Sequence, residues 1–207
     1  MIAARLHRRA RRGERGAVLV EVVIMLPVLL VIALGVFDVG LGWKASMTLS
    51  SSTRAGARVA TNLGISSSAD KSALASIAAS MGSIPASQID TIVIYKATSA
   101  TGTVPSNCLS ASVKTAGGSA ADLCNVYSAT DMNNAATSSA YTGVCGSSRD
   151  RFYCPTTRGN SQASSNGPDY VGVYIKVNLA TKTKLFGSTM TLDETSVMRI
   201  EPNAGNP

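Results

Sequence analysis

Few side chains in this chain of 207 residues are grouped closely enough to share electrons, protons or a metal ion. Cys108, Cys124, Cys145 and Cys154 fall within one stretch of 47 residues. Four thiols clustered this way suit two disulfides made in an oxidising compartment, with three pairings open. Joining sequence neighbours, Cys108 to Cys124 and Cys145 to Cys154, is the topologically simplest. Zinc is the competing chemistry, but no pair is spaced Cys-x2-4-Cys and the single histidine, His7, stands on the other side of a long hydrophobic segment. Four loose thiols are the third reading, disfavoured because exposed thiols are a hazard outside the cell. Without a histidine beyond that segment, no Ser-His or Cys-His nucleophile can be built there. Lys71, Lys96, Lys114, Lys176, Lys182 and Lys184 could each meet a serine, but with serine so abundant such a pairing carries no information. Asp90, Asp122, Asp131, Asp150 and Asp169 are carboxylates for sugar chemistry with no spacing that sets two on one face. Asp131-x-Asn133 lacks the remaining ligands and the glycine of a calcium loop, and no phosphate-cradling Gly-rich loop follows a strand. The expectation is a protein that is not an enzyme and takes no cofactor and no metal.

One acid is placed oddly. Glu21 stands near the start of a run, Ala17 to Phe37, that is otherwise uncharged. As a helix those 21 residues span about 31 Å, the thickness of a hydrocarbon core of about 30 Å. Arg5, Arg8, Arg9, Arg11, Arg12 and Arg15 precede the run against Glu14 alone, so residues 1–16 carry +5 of a formal net charge of +7. The rest of the chain has no basic stripe to neutralise phosphates, which argues against nucleic acid as a partner. The charge is a topology signal instead. It predicts a single pass through the cytoplasmic membrane, with the N-terminus cytoplasmic and the C-terminal part extracytoplasmic, in the periplasm or on the cell surface. A cleaved secretory signal fits poorly, because the apolar run is long, has Glu21 near its start and continues as helix through Asp38 and Lys44. A carboxylate at the edge of hydrocarbon costs free energy unless paired or near headgroups, so Glu21 needs a reason, if only Arg15 snorkelling beside it.

Beyond the span, helical spacing continues through Val39, Trp43 and Met47 and again through Ala55, Val59 and Leu63. One helix over about 18–62 is expected, broken at the hydroxyl cluster Thr48–Thr53 and stopped by Asn62-Leu63-Gly64. Trp43 suits the outer headgroup region, though a core position serves it nearly as well. A second helix runs from Ala69 to Met81, and β-branched density marks strands over 89–96 and 169–178. The final extended segments are 188–192 and 196–200. Residues 97–169 hold all the cysteines and lack periodicity; only 122–127 and 151–155 are apolar enough to dock, and Tyr127, Tyr141 and Tyr153 are either packing residues or partner contacts. The organisation expected is a basic leader 1–16, a membrane helix 17–42, a helical extension 43–63, a domain 64–201 with a Cys-containing insertion 97–169, and a flexible tail 202–207. The fold class is α+β: a long N-terminal transmembrane helix extending into a domain with a short helix and an antiparallel sheet of three to four strands.

Several of these residues agree with a known pattern. Gly16-Ala17-Val18-Leu19-Val20-Glu21 resembles the processing site of type IV prepilins, where cleavage follows the glycine and a glutamate is the fifth residue of the mature chain. The longer run, with Leu26-Pro27, Gly35 and Phe37-Asp38, resembles the start of TadE/TadG-like proteins of tight-adherence (Flp) pilus systems. Ser52-Thr-Arg54-Ala-Gly56-Ala57-Arg58-Val-Ala60 is similar to that family's Ala-x-x-Gly-Ala-Arg-x-Ala stretch, and Val197 to Pro202 is a weaker echo. One departure is Phe37-Asp38-Val39-Gly40, where the family usually has Glu-Phe or Phe-Gly after the central glycine. The resemblance implies a pilin-like architecture, a cut between Gly16 and Ala17, and assembly roles for Glu21, Pro27, Gly35 and Asp38. Its implied partners are membrane lipid, other pilins or pseudopilins, inner-membrane pilus machinery and a prepilin peptidase. The function expected is a minor pseudopilin or membrane-anchored assembly factor of a tight-adherence pilus or related secretion machine. The alternative is an uncleaved single-pass envelope protein whose disulfide-bonded domain binds a surface partner or ligand.

Overall fold

A computed structural model describes residues 7–82, 84–119, 123–137, 141, 143–162, 167–185 and 187–202, with the side chains of 7–15 and 119 excluded. The first six residues of the leader, Asp122 and the tail beyond Pro202 lie outside the described residues. Two compact units make up the chain: Met1–Leu41 with Thr181–Ser188, and Gly42–Ala180 with Thr189–Pro207.

In the second unit an antiparallel sheet is built from β1 (Ile89–Ala97), β2 (Gly118–Ser119), β3 (Cys124–Tyr127), β4 (Tyr170–Ala180) and β5 (Thr189–Arg199), in the order β2-β3-β1-β4-β5. Among the described residues this makes four full strands and a two-residue edge. β1 and β4 take the centre because both of their faces are apolar. Ile92 and Ile94 join Val171, Val173, Ile175 and Val177 on one face, while Val93, Tyr95 and Ala97 join Val126 and Tyr174 on the other. Side chains alternate across a strand, so a run without a polar phase demands cover on both sides. The helices α2 (Ala69–Ser80) and α4 (Ala129–Thr137) and the later part of α1 (His7–Leu63) supply it on the first face through Leu49, Ala57, Ala60, Leu74, Ile77 and Met132. The Cys108–Cys124 disulfide, with Val104, Leu109 and Val113 of the segment around α3 (Ala111–Ala116), supplies it on the second. Each fully buried aliphatic side chain contributes about 1.5–3 kcal/mol.

In this unit the core face of α1 is a ladder of small residues at spacings of three and four: Ala45, Ser52, Thr53, Gly56, Ala57, Ala60 and Thr61, with Leu49 among them. Small side chains let α2 come close. A Cβ at Gly56 would lie 2.6 Å from Cγ1 of Ile77. The hydroxyl cluster does not break the helix, contrary to the sequence expectation. Ser52 donates to the Thr48 carbonyl and Thr53 to the Leu49 carbonyl, each at 2.8 Å, so hydroxyls that compete with helix elsewhere are satisfied one turn back along it. The helix stops where expected, at Gly64 with φ +52°, whose N–H reaches the Ala60 carbonyl at 3.1 Å.

Residues 97–169 contain more structure than periodicity reveals. β3 pairs with β1 from Ile92↔Tyr127 to Tyr95↔Cys124, so the segment expected as an insertion contributes a strand to the sheet. At four residues, all buried, that strand is too short for its period to be read. Downstream, α4 opens on a reciprocal cap: the Asp131 amide donates to Ser128 Oγ at 3.2 Å, and the Ser128 amide donates to Asp131 Oδ2 at 2.7 Å. The disulfides join Cys108 to Cys124 and Cys145 to Cys154, closing loops of 16 and 9 residues and constraining the unfolded chain by about 3 kcal/mol each. The two final extended segments are one strand: β5 pairs with β4 without interruption from Tyr170↔Arg199 to Ala180↔Thr189. Of its two acids Asp193 faces outward, while Glu194, on the opposite face, is half-buried and accepts from the Ser50 hydroxyl of α1 at 3.3 Å.

Candidate functional site: an apolar helix with two acids

The first unit is defined by what its part of α1 leaves uncovered. From Val18 to Phe37 its large apolar side chains keep between 45% and 68% of their surface. A contiguous apolar surface of this length is foreign to water-soluble proteins and natural in hydrocarbon. The most apolar 18-residue window has mean hydropathy 3.0, and among the described residues this is the one helix long and apolar enough to cross a membrane. Pro27 sits inside it, and the helix continues through. A proline in a membrane helix is tolerated where neighbours re-satisfy the carbonyl that it frees. Gly35 is buried and, with Val31, Ile32, Val36 and Val39, lines a shallow apolar groove.

The two acids of this unit have opposite fates. Glu21 is exposed among apolar neighbours, with no hydrogen bond or ion pair to any other described residue. Asp38 is buried at 5% exposure. Its Oδ1 accepts from the Lys182 amide at 3.1 Å, and its Oδ2 accepts from the Thr183 amide at 3.2 Å and from the Thr183 hydroxyl. The sequence reading grouped Glu21, Pro27, Gly35 and Asp38 as assembly residues; in the structure Asp38 serves its own chain, ordering the turn between β4 and β5.

A second polar constellation, unseen in the sequence, lies in the core of the other unit. Asp70, on the first turn of α2, meets Arg158 at 2.6 Å, and both side chains are at most 1% exposed. Asp70 Oδ2 also accepts from Asn125 Nδ2 at 2.9 Å and from the Tyr127 hydroxyl at 2.8 Å. Asn125 completes the web by bonding both the amide and the carbonyl of Tyr153, and the Arg158 guanidinium lies 4.3 Å from the Tyr153 ring centroid. Burial opposes the charge on Arg158, but Asp70, Tyr153 and Tyr127 together outweigh it and raise the guanidinium above its ordinary value. Burial likewise pushes the Tyr127, Tyr141 and Tyr153 hydroxyls well up, with Asp70 adding to the rise at all three. Of the two readings offered for these tyrosines, packing is the one that the structure supports: Tyr127 and Tyr153 are core residues and Tyr141 packs against them. No local signal marks the Asp70–Arg158 pair, because 88 residues separate its partners.

The remaining residues singled out for chemistry disperse. Asp90 pairs with Lys114 at 2.6 Å, Asp169 with Lys96 at 2.8 Å and Asp131 with Arg149 at 3.7 Å. Asp150 accepts from the Cys145 amide and the Ser148 hydroxyl. Among the described residues no group of three or more His, Cys, Asp or Glu converges as a metal site.

Comparison with known proteins singles out the same helix. Residues 16–58 match the family model described as TadE-like protein. Comparison with curated proteins and with solved structures gives no match. The matched stretch begins at Gly16, carries Glu21, Pro27, Gly35 and Asp38, and ends at Arg58, two residues beyond the glycine that admits α2. Residues 16–58 are thus similar to the TadE-like family, and that similarity falls on the helix long and apolar enough to cross a membrane.

Proposed function

We propose that the protein is a minor pseudopilin or membrane-anchored assembly factor of a tight-adherence pilus or a related secretion machine. In this reading residues 1–16 are a cytoplasmic leader, and a prepilin peptidase cuts between Gly16 and Ala17. The apolar helix then stays in the cytoplasmic membrane, and the disulfide-bonded α+β domain works outside the cytoplasm through contacts with other pilins or pseudopilins. The observation that carries the reading is Glu21, an exposed acid in an apolar helix, without a partner among the described residues, inside the TadE-like stretch. Cutting removes six arginines and creates an ammonium group at Ala17. An acid that is costly alone in a low dielectric becomes tolerable beside that ammonium on a neighbouring subunit.

Amino-terminal sequencing of the protein from native membranes, with the cognate peptidase present and then deleted, tests the reading. A terminus at Ala17 that depends on the peptidase is expected. Met1 retained in both samples overturns processing and leaves an uncleaved envelope protein, whereas a terminus near Ala45 marks a secretory signal. With processing intact, Glu21→Ala should be cut normally and fail to support pili. Full piliation by that variant would make Glu21 a merely interfacial acid.

A further inference from the structure

The turn that Asp38 orders has a surface of its own. Residues 181–188 close the β4–β5 hairpin, and within them Lys182, Lys184 and Leu185 are exposed. The turn is held in shape: the Thr181 amide donates to the Ser188 carbonyl at 3.1 Å, and the Leu185 amide donates to the Thr183 hydroxyl at 3.3 Å. Lys184 sits at φ +58°, a left-handed conformation that costs a lysine free energy and fixes where its side chain leaves the turn. Two amides of the turn are spent on the buried Asp38 carboxylate. Neither Lys182 nor Lys184 forms an ion pair among the described residues, although four other cations do.

Position gives these charges meaning, on the reading that α1 spans the membrane. Asp38 is the first charged residue after Glu21, at the far end of the run Ala17–Phe37, so a turn bonded to Asp38 lies at the outer headgroup level. Topology alone gathers basic residues on the cytoplasmic side, and the six arginines of 1–16 already do that. Two lysines fixed at the opposite end run against the gradient. An exposed leucine beside them, 43% open, adds the apolar contact of an interfacial group.

We propose that the 182–185 turn is a docking surface for anionic lipid headgroups. Lys182 and Lys184 meet the lipid phosphates, Leu185 enters the acyl boundary, and Asp38 is the positioning residue that holds the turn at that depth. The full-length protein, reconstituted in nanodiscs of phosphatidylcholine alone or mixed with phosphatidylglycerol, is treated with an amine-acetylating reagent, and each lysine is followed by mass spectrometry. Lys182 and Lys184 should each react about fivefold more slowly in the anionic discs, with Lys71 and Lys176 unchanged. High salt should abolish the difference. Asp38→Ala should lose the protection while its cysteines stay resistant to alkylation; if that variant fails to fold, the lipid and salt comparison on the parent protein decides. Equal rates in the two lipids overturn the proposal, as does protection in neutral discs that grows with the number of copies per disc, which would assign the turn to an acidic protein face. Protection that survives in Asp38→Ala overturns the positioning role. Failure of the chain to enter discs at all overturns the membrane reading of α1 instead.

Discussion

Replacing Arg158 by methionine should be among the most damaging single changes in the second unit. Methionine keeps an unbranched stem of similar reach and removes the guanidinium, so the effect isolates charge from volume. What remains is the Asp70 carboxylate, 0% exposed, with only two neutral donors, Asn125 Nδ2 at 2.9 Å and the Tyr127 hydroxyl at 2.8 Å. Removing one member of a buried ion pair costs about 3–5 kcal/mol, because the other charge is left in a medium that cannot solvate it. For a domain of this size each kcal/mol moves the melting temperature by about 2–4 °C, so a fall of roughly 6–20 °C is expected. Asp70→Asn should cost a comparable amount. It removes the countercharge from an arginine whose Nε and Nη1 have no hydrogen-bond partner among the described residues, and it turns one accepting oxygen of the web into a donor. The double variant removes both charges together and should be more stable than either single variant, with a coupling of at least about 2 kcal/mol. Thermal melting of the full chain in detergent, followed by near-ultraviolet circular dichroism, measures all four corners of this cycle. A melting point for Arg158→Met within about 2 °C of the parent, or two single effects that add in the double variant, would refute the claim that this pair is an interdependent buried unit.

Two further outcomes follow from packing and burial. Gly56→Ala should destabilise by about 1–2 kcal/mol despite a helix-propensity gain of about 1 kcal/mol, since the new methyl would sit 2.6–2.7 Å from the Ile77 side chain; Gly40→Ala, with nothing within 4 Å, is the matched control and should not destabilise. Raising the pH above 10 should unfold the domain. Burial holds Tyr95 and Tyr174 up at about 12 and raises Tyr127, Tyr141 and Tyr153 well above their ordinary value, while the unfolded chain loses phenolic protons near 10. The native state then binds more protons than the unfolded one, so each such tyrosine subtracts up to about 1.4 kcal/mol per pH unit between 10 and 12. Tyrosinate absorbance should therefore rise together with loss of structure; a gradual rise near pH 10 in a chain that stays folded would contradict the burial of these rings.

How much of this could be read from the residues divides by range. β1 and β4 were legible because Ile, Val and Tyr without a polar phase have few alternatives to a strand covered on both faces. The end of α1 was legible because Gly64 can take a positive φ cheaply. The hydroxyls of 48–53 misled because their competition with the helix depends on whether they can bond one turn back, and composition does not reveal that. β3 was hidden by its brevity, and the ionic web was hidden because Asp70, Asn125 and Arg158 meet only after the sheet and α2 have packed. The fate of Asp38 is the same kind of case, since Thr183 lies 145 residues away.

The two acids of the apolar helix meet their surroundings differently. Both stand in or beside hydrocarbon, where an unpaired carboxylate is penalised by several kcal/mol. Asp38 meets that penalty within the chain, through two amides and a hydroxyl of a turn that the fold itself delivers. Those bonds give Asp38 a role within the chain; the assembly role that the resemblance implies for it, as for Glu21, is a separate proposal. Glu21 has no such turn. Within one helical turn on either side stand only Ala17, Val, Leu, Ile and Met25, and its nearest cation in sequence, Arg15, is removed if the chain is cut after Gly16. The cut would create one charge of the right sign at Ala17, one helical turn from Glu21 on the same helix and available to the Glu21 of an adjacent copy. If the chain is processed as proposed, cleavage and assembly would be coupled, because an uncut subunit would lack the ammonium that makes a neighbouring Glu21 tolerable.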